Sequence, residues 1–298
     1  DGIRDWSVTG VQTCALPIYL STLKSGSQCP KIIQNLTAYV EYNLYQKGSQ
    51  WARQFKGQFG PNAQLLTNEE FLLHFASTFA GEVQYGGRVD MCNFLMKYNN
   101  FDDLWNAVVQ WTIENNDPLS DGAYFLKNTT LDPETSWARL WTYQCCSQLG
   151  WWQVAAADPR NAMRSSYVNL TFYKKWCQDI FGVPLWPDVD KINNEYGGRN
   201  IKSTNTILSN GIEDPWAWAG NTNSTTNTVV SYYINCTNCA HCVELYTPTI
   251  NDSIALQTAR ANILLTINSW LKNPQASETV ILEEPEMSEE SEFYYEYF

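Results

Sequence analysis

The chain has 298 residues, 44% of them hydrophobic and 13 of them tryptophan, enough for one large domain or two smaller ones with a substantial core. Its formal net charge of −12 and pI near 4.6 argue against a nucleic-acid partner, whose phosphates would be repelled. No run of about 18 apolar residues occurs, so no membrane-spanning helix is expected.

Residues 1–18 stand apart. The run Val8-Thr-Gly-Val-Gln-Thr-Cys-Ala-Leu-Pro-Ile18 looks like a translated sequencing-adapter oligonucleotide. The segment is expected to be a foreign leader, to be set aside before elements are assigned. Without Cys14, the nine cysteines fall to an even number that complete pairing could use.

A helix is expected over 30–45, where Ile32, Leu36, Val40 and Leu44 recur every fourth residue and Pro30 suits a first turn. Thr67 or Asn68 can cap a second helix, with Glu69 and Glu70 in its first turn and Phe71, Leu72, Phe75 and Phe79 after them. Phe101, Leu104, Val108 and Trp111 mark a third. The stretch 136–153 carries Trp137, Trp141, Tyr143, Trp151 and Trp152, a pattern expected in a core more than in a ligand cage. A further helix over 169–181 ends at Gly182, with Pro184 beyond it. Residues 19–197 are thus expected to be mostly helical.

The pattern changes after Gly197-Gly198. Residues 206–209 form a short strand candidate running into Asn210-Gly211, a turn signal. Val229, Val230, Tyr232, Tyr233 and Ile234 form a β-branched and aromatic run that suits a strand. Asp252 is expected to cap a last helix whose buried face carries Leu256, Ala259, Ile263, Ile267 and Trp270, stopped at Asn273-Pro274. Residues 276–298 are expected to be an acidic, disordered tail.

The order strand, acid-bearing loop, strand, histidine-bearing loop, helix suggests the closing part of an α/β-hydrolase sheet. There the triad runs Ser, acid, His along the chain. Asp214 lies 27 residues before His241 (241 − 214) and is the expected acid, with His241 the expected base. A carboxylate holds the imidazole in the right tautomer while the imidazole takes the nucleophile's proton. Glu213 is the rival acid; Pro215 and Trp216 favour Asp214 by stiffening its loop. The blander reading is a turn with a packed tryptophan and a loop histidine. His74, the other of the two histidines, sits in an aromatic helical pattern and is expected to be structural.

Cys236, Cys239, His241 and Cys242 offer four zinc ligands within seven residues, but they form one knuckle where structural zinc sites draw on two. The sequons at Asn35, Asn128, Asn169, Asn223, Asn235 and Asn251 point instead to a glycosylating, oxidising route, secreted or lysosomal. No metal is therefore expected. The pairing of Cys145, Cys236, Cys239 and Cys242 stays open.

Specific motifs then occur in order: Trp141-Thr-Tyr-Gln-Cys-Cys146, Gly150-Trp-Trp-Gln153, Cys177 with Phe181-Gly182, Tyr196-Gly-Gly198, Thr204-Asn205, Ser209-Asn-Gly-Ile-Glu-Asp-Pro-Trp216 and Ala240-His241. On these the chain from about Cys29 to Leu271 resembles the serine exopeptidases that include prolyl carboxypeptidase, dipeptidyl peptidase 2 and thymus-specific serine protease. The resemblance implies an α/β-hydrolase fold with an inserted helical cap. The cap would be residues 19–197 and the C-terminal part of the hydrolase core residues 198–275. It implies Asp214 and His241 as triad acid and base. It also places Tyr143, Gln144 and Trp216 on the substrate side, and pairs Cys146 with Cys177 and Cys29 with Cys92. The implied substrates are peptides with proline near the cleaved end. No membrane partner follows, and the oligomeric state is left open.

The family's nucleophile sits in a Gly-x-Ser-x-Gly elbow, and none occurs in this chain. Ser25 and Ser27 lack a preceding strand. Gln148 stands where the family usually has glutamate. The expectation is a fragment that lacks the nucleophile elbow and the N-terminal strands, and is inactive as written. The alternatives are a non-catalytic peptide-binding homologue and a small metal module at 236–242.

Overall fold

The structure is a computed structural model and describes residues 15–116, 118–130, 136–201 and 203–272. The expected acidic tail and residues 1–14 of the expected leader lie outside the described residues. The first helix, α1 (Ala15–Leu23), crosses the boundary drawn at residue 18, and Ile18 packs into the main core.

Helices follow in quick succession: α2 (Gln28–Tyr45), α3 (Ser49–Lys56), α4 (Asn68–Gln84), α5 (Arg88–Met96) and α6 (Phe101–Asn115). The short α7 (Ala123–Leu126), then α8 (Ser136–Gln144), α9 (Leu170–Phe181) and α10 (Val189–Tyr196), complete the helical part. Pro30 lies in the first turn of α2, where its missing N–H costs nothing. Thr67 caps α4 in a reciprocal capping box: its hydroxyl accepts from the Glu70 amide and Glu70 Oε2 accepts from the Thr67 amide. The other Glu70 oxygen accepts from the Ala123 amide at 2.7 Å, which ties α7 to the same cap. Asn169 caps α9, and Gly182 ends it in the left-handed conformation at φ 72°.

The main core is aromatic. Phe55, Phe59, Phe71, Phe75 and Trp105 meet edge-on or stacked between α3, α4 and α6. Two disulfides staple this part, Cys29–Cys92 between α2 and α5 and Cys146–Cys177 between the end of α8 and α9.

The stretch 136–153 differs from expectation. The helix stops at Gln144, and Cys145–Leu149 forms a single wider π turn closed by Gly150. Trp152 is buried, but Trp137, Trp141 and Tyr143 are exposed. Their spacing wraps around α8, so they cannot all face one core.

Both described strands lie beyond residue 197. They are β1 (Thr206–Gly211) and β2 (Val229–Ile234), paired in parallel from Thr206 opposite Val229 to Gly211 opposite Ile234. Parallel pairing needs a long crossover, and residues 212–228 supply it. Gly211 is the last residue of β1 rather than part of a turn. A Cβ there would lie 2.3 Å from the Cys239 carbonyl oxygen and 2.6 Å from that of Ala240. The glycine therefore lets the strand end touch the histidine loop.

The last helix, α11 (Ile254–Lys272), packs Leu256 and Ala259 against Ile234 and Cys239. Its cap is Ser253, whose hydroxyl accepts from the Leu256 amide; Asp252 instead holds Thr249 and Arg260. Ile267 is exposed, and Thr266 takes its place on the buried stripe, bonded to the Tyr232 hydroxyl at 2.7 Å. A strict i+4 step from Ile263 overshoots a 3.6-residue period, whereas i+3 stays on the stripe.

Candidate active site

Three segments converge at the C-terminal ends of β1 and β2. The first is the acid loop. After Gly211, the Ile212 amide donates to the Ile234 carbonyl at 3.0 Å and the Glu213 amide to the Cys239 carbonyl at 2.9 Å. These bonds continue the sheet ladder into both loops. Asp214 then opens a short 3-10 turn, Pro215–Trp218, with its Oδ1 accepting from the Trp216 amide at 2.9 Å. That leaves Oδ2 free to reach across.

It reaches His241. Nδ1 of His241 and Oδ2 of Asp214 are 2.9 Å apart, with the acid side chain 7% exposed and the imidazole 33%. With Nδ1 donating to the carboxylate, the imidazole lone pair lies on Nε2. The hydrogen bond donated to Asp214 raises the imidazole pKa above its ordinary value; partial burial opposes this, and the charges of Asp214 and Glu244 add to it. The arrangement can accept a proton at Nε2 and stabilise the resulting imidazolium.

Glu213, the rival acid, faces away. It is buried in a two-point ion pair with Arg88, at 2.7 Å from Nε to Oε2 and 2.9 Å from Nη2 to Oε1. Lys24 approaches it at 3.9 Å.

The histidine loop is braced from several sides. Cys236 and Cys239 form a disulfide just before His241, which uses two of the four cysteine and histidine groups considered for zinc. Arg260 of α11 donates to the carbonyls of Val243, Glu244 and Tyr246 behind it. Cys242 is an exposed thiol in the left-handed region at φ 54°, its pKa raised by partial desolvation and by the charges of Glu244 and Asp214. Cys145 is a buried thiol whose pKa is pushed up to about 12 by desolvation.

The third segment comes from the helical part, and nothing in the sequence pattern marked it. The Gln84 carbonyl at the end of α4 accepts from the His241 amide at 2.9 Å. The Gln84 side-chain oxygen accepts from Trp216 Nε1, also at 2.9 Å. Tyr85 lays its ring edge-on to the imidazole, with centroids 6.1 Å apart.

Of the other expected site residues, Trp216 lies beside the pair and meets Trp141 at 6.3 Å and Trp151 at 5.8 Å between ring centroids. Tyr143 and Gln144 are exposed on α8, and Tyr143 packs on Phe181 instead. His74 is buried in the main helical part, bonded to Asp121 and Asn116. The six sequon asparagines, Asn35, Asn128, Asn169, Asn223, Asn235 and Asn251, are all exposed. Among the described residues no serine is hydrogen-bonded to His241; Ser25 accepts from Arg88 and Ser209 donates to Glu244.

A family model for serine carboxypeptidase S28 matches residues 18–263. The chain belongs to the serine carboxypeptidase S28 family. A mostly helical chain with a small parallel sheet fits the α/β-hydrolase-like fold of S28. Among S28 relatives, a probable serine protease of Arabidopsis thaliana is 31% identical over 224 residues, covering 73% of this chain and 44% of its own length. The human lysosomal Pro-X carboxypeptidase is 30% identical over 141 residues, 45% of this chain and 26% of the relative. The mouse thymus-specific serine protease is 26% identical over 159 residues, 52% and 30% respectively. The chain spans less than half the length of the curated relatives it matches.

Proposed function

We propose that this chain carries the acid and base of a Ser-Asp-His triad belonging to a proline-directed serine exopeptidase. The observation that carries the reading is the 2.9 Å contact between Asp214 and His241 at the strand ends. In that reading His241 Nε2 takes the proton of a serine nucleophile as it attacks the scissile carbonyl, and later returns it to the leaving amine. Asp214 holds the tautomer and stabilises the imidazolium. No cofactor is needed.

The nucleophile and the remaining strands would be supplied by an upstream part of the same protein. Two features support this. A two-stranded sheet is marginal alone, and parallel strands are normally covered on both faces. Leu264, Leu265 and Leu271 of α11 are also exposed, as expected of a helix whose partners are only partly present. Residues 19–197 then act as the cap and 198–275 as part of the core.

The substrate would be a peptide with proline near the cleaved end. Three relatives are named lysosomal Pro-X carboxypeptidase, and Trp216 beside the acid, with Trp141 and Trp151 packed edge-on against it, offers flat apolar faces for such a ring. A secreted or lysosomal location is supported by lysosomal and extracellular relatives, by the three disulfides among the described residues and by the exposed sequons.

The test is to express the chain joined to its upstream coding sequence and to assay proline-containing peptides. Asp214→Asn should lower kcat by about four orders of magnitude and His241→Ala by about six. Near-wild-type turnover in either variant rejects the triad. A joined protein that binds such peptides without cleaving them would make it a binder.

A further inference from the structure

We propose that Gln84 is the positioning residue that sets the Asp214 loop and the His241 loop at hydrogen-bonding distance from each other. The proposal rests on the acid–base reading above and extends it to the helical part.

Gln84 touches both loops at once. Its carbonyl, one of the orphan acceptors at the end of α4, takes the His241 amide. Its side-chain oxygen takes the indole N–H of Trp216, two residues after Asp214. Trp216 is also the residue whose amide Asp214 caps, so fixing the indole fixes the turn that aims Oδ2. One residue therefore spans from the base to the acid without touching the reacting atoms.

The surrounding turn is built for this approach. Gly86 lies at φ 84°, a conformation that favours glycine, with the Asn238 carbonyl oxygen 3.0 Å from where a Cβ would stand. Asn238 belongs to the same loop as His241. On the other side Arg88 holds Glu213, the neighbour of Asp214. The turn between α4 and α5 thus grips each loop twice. The contacts span 132 residues of sequence at Trp216 and 125 at Glu213, so neither loop could form them locally.

A chain with only two histidines allows a direct test on itself, by NMR titration of the His241 ring protons. Gln84→Met keeps the packing and removes the side-chain acceptor; Trp216→Phe removes the donor of the same bond. Each should lower the His241 pKa by about half a unit, the scale of one hydrogen bond's loss spread through the loop, and the double variant should do no more than either alone. Should Gln84→Met fail to fold, Trp216→Phe gives the same reading from the other end of the bond.

Asp214→Asn serves as the separate control. If it leaves the His241 titration unchanged, the acid–base reading itself fails. If it lowers the His241 pKa while Gln84→Met and Trp216→Phe do not, the pair stands and the positioning role of Gln84 is overturned.

Discussion

Replacing Arg88 by methionine should be the most damaging single change at the junction between the helical part and the strand loops. Arg88 gives two hydrogen bonds to Glu213 and one to Ser25, and the ion-pair side chains are 5% and 3% exposed. Met fills much of the volume, so the loss is electrostatic. Glu213 would keep only Lys24, 3.9 Å away and 30% exposed, against the cost of a buried carboxylate. Breaking one side of such a pair costs about 3–5 kcal/mol. Urea unfolding followed by tryptophan fluorescence reads this as a lower midpoint at constant m. Adding Glu213→Gln to Arg88→Met should recover about half of the loss, because a neutral amide tolerates burial better than an unpaired charge. A cost below about 1 kcal/mol for the single variant would mean that the pair behaves as a surface pair. Strict additivity in the double variant would equally refute the reasoning.

Other outcomes follow from the same geometry. Folding raises the His241 pKa, so this group stabilises the fold fully below its unfolded pKa, and the contribution is lost as pH rises through the folded value; stability curves of wild type and Asp214→Asn should therefore lie closest at alkaline pH, separate as pH falls through the folded pKa, and be fully apart by about pH 6.5. Thr67→Ala should cost about 1 kcal/mol by opening the capping box of α4, measured by the same unfolding titration. Removing the Cys29–Cys92 disulfide, which closes a separation of 63 residues, should lower stability by about 4 kcal/mol, seen as a lower midpoint of the Cys29→Ser/Cys92→Ser protein.

Much of the fold was legible because it is local. The repeat of Leu36, Val40 and Leu44 along α2, the Thr67 cap and the Gly182 stop are all decided within a few residues, and α2, α4 and α9 lie where they indicate. The β-branched run at 229–234 marked β2 in the same way. Errors arose where two local signals competed or where the partner was distant. Asp252 and Ser253 are both good caps, and Arg260 decides between them by claiming Asp252. Asn210-Gly211 carries a turn signal, but the glycine is there because the Cys239 carbonyl is close. Asp214 and His241 could be named from loop order and family motifs, and Glu213 set below Asp214, yet the Arg88 side chain that occupies Glu213 is invisible to both. Gln84 offered no signal at all, since its role depends on two loops 132 and 157 residues further on (216 − 84 and 241 − 84).

The bond between the last carbonyl of α4 and the His241 amide has a mechanical consequence. The bond couples the end of the helix to the imidazole-bearing loop. A shift of the end of α4 would reach the imidazole loop through this bond and the acid loop through Trp216 and Arg88, so the two loops are coupled to the same turn.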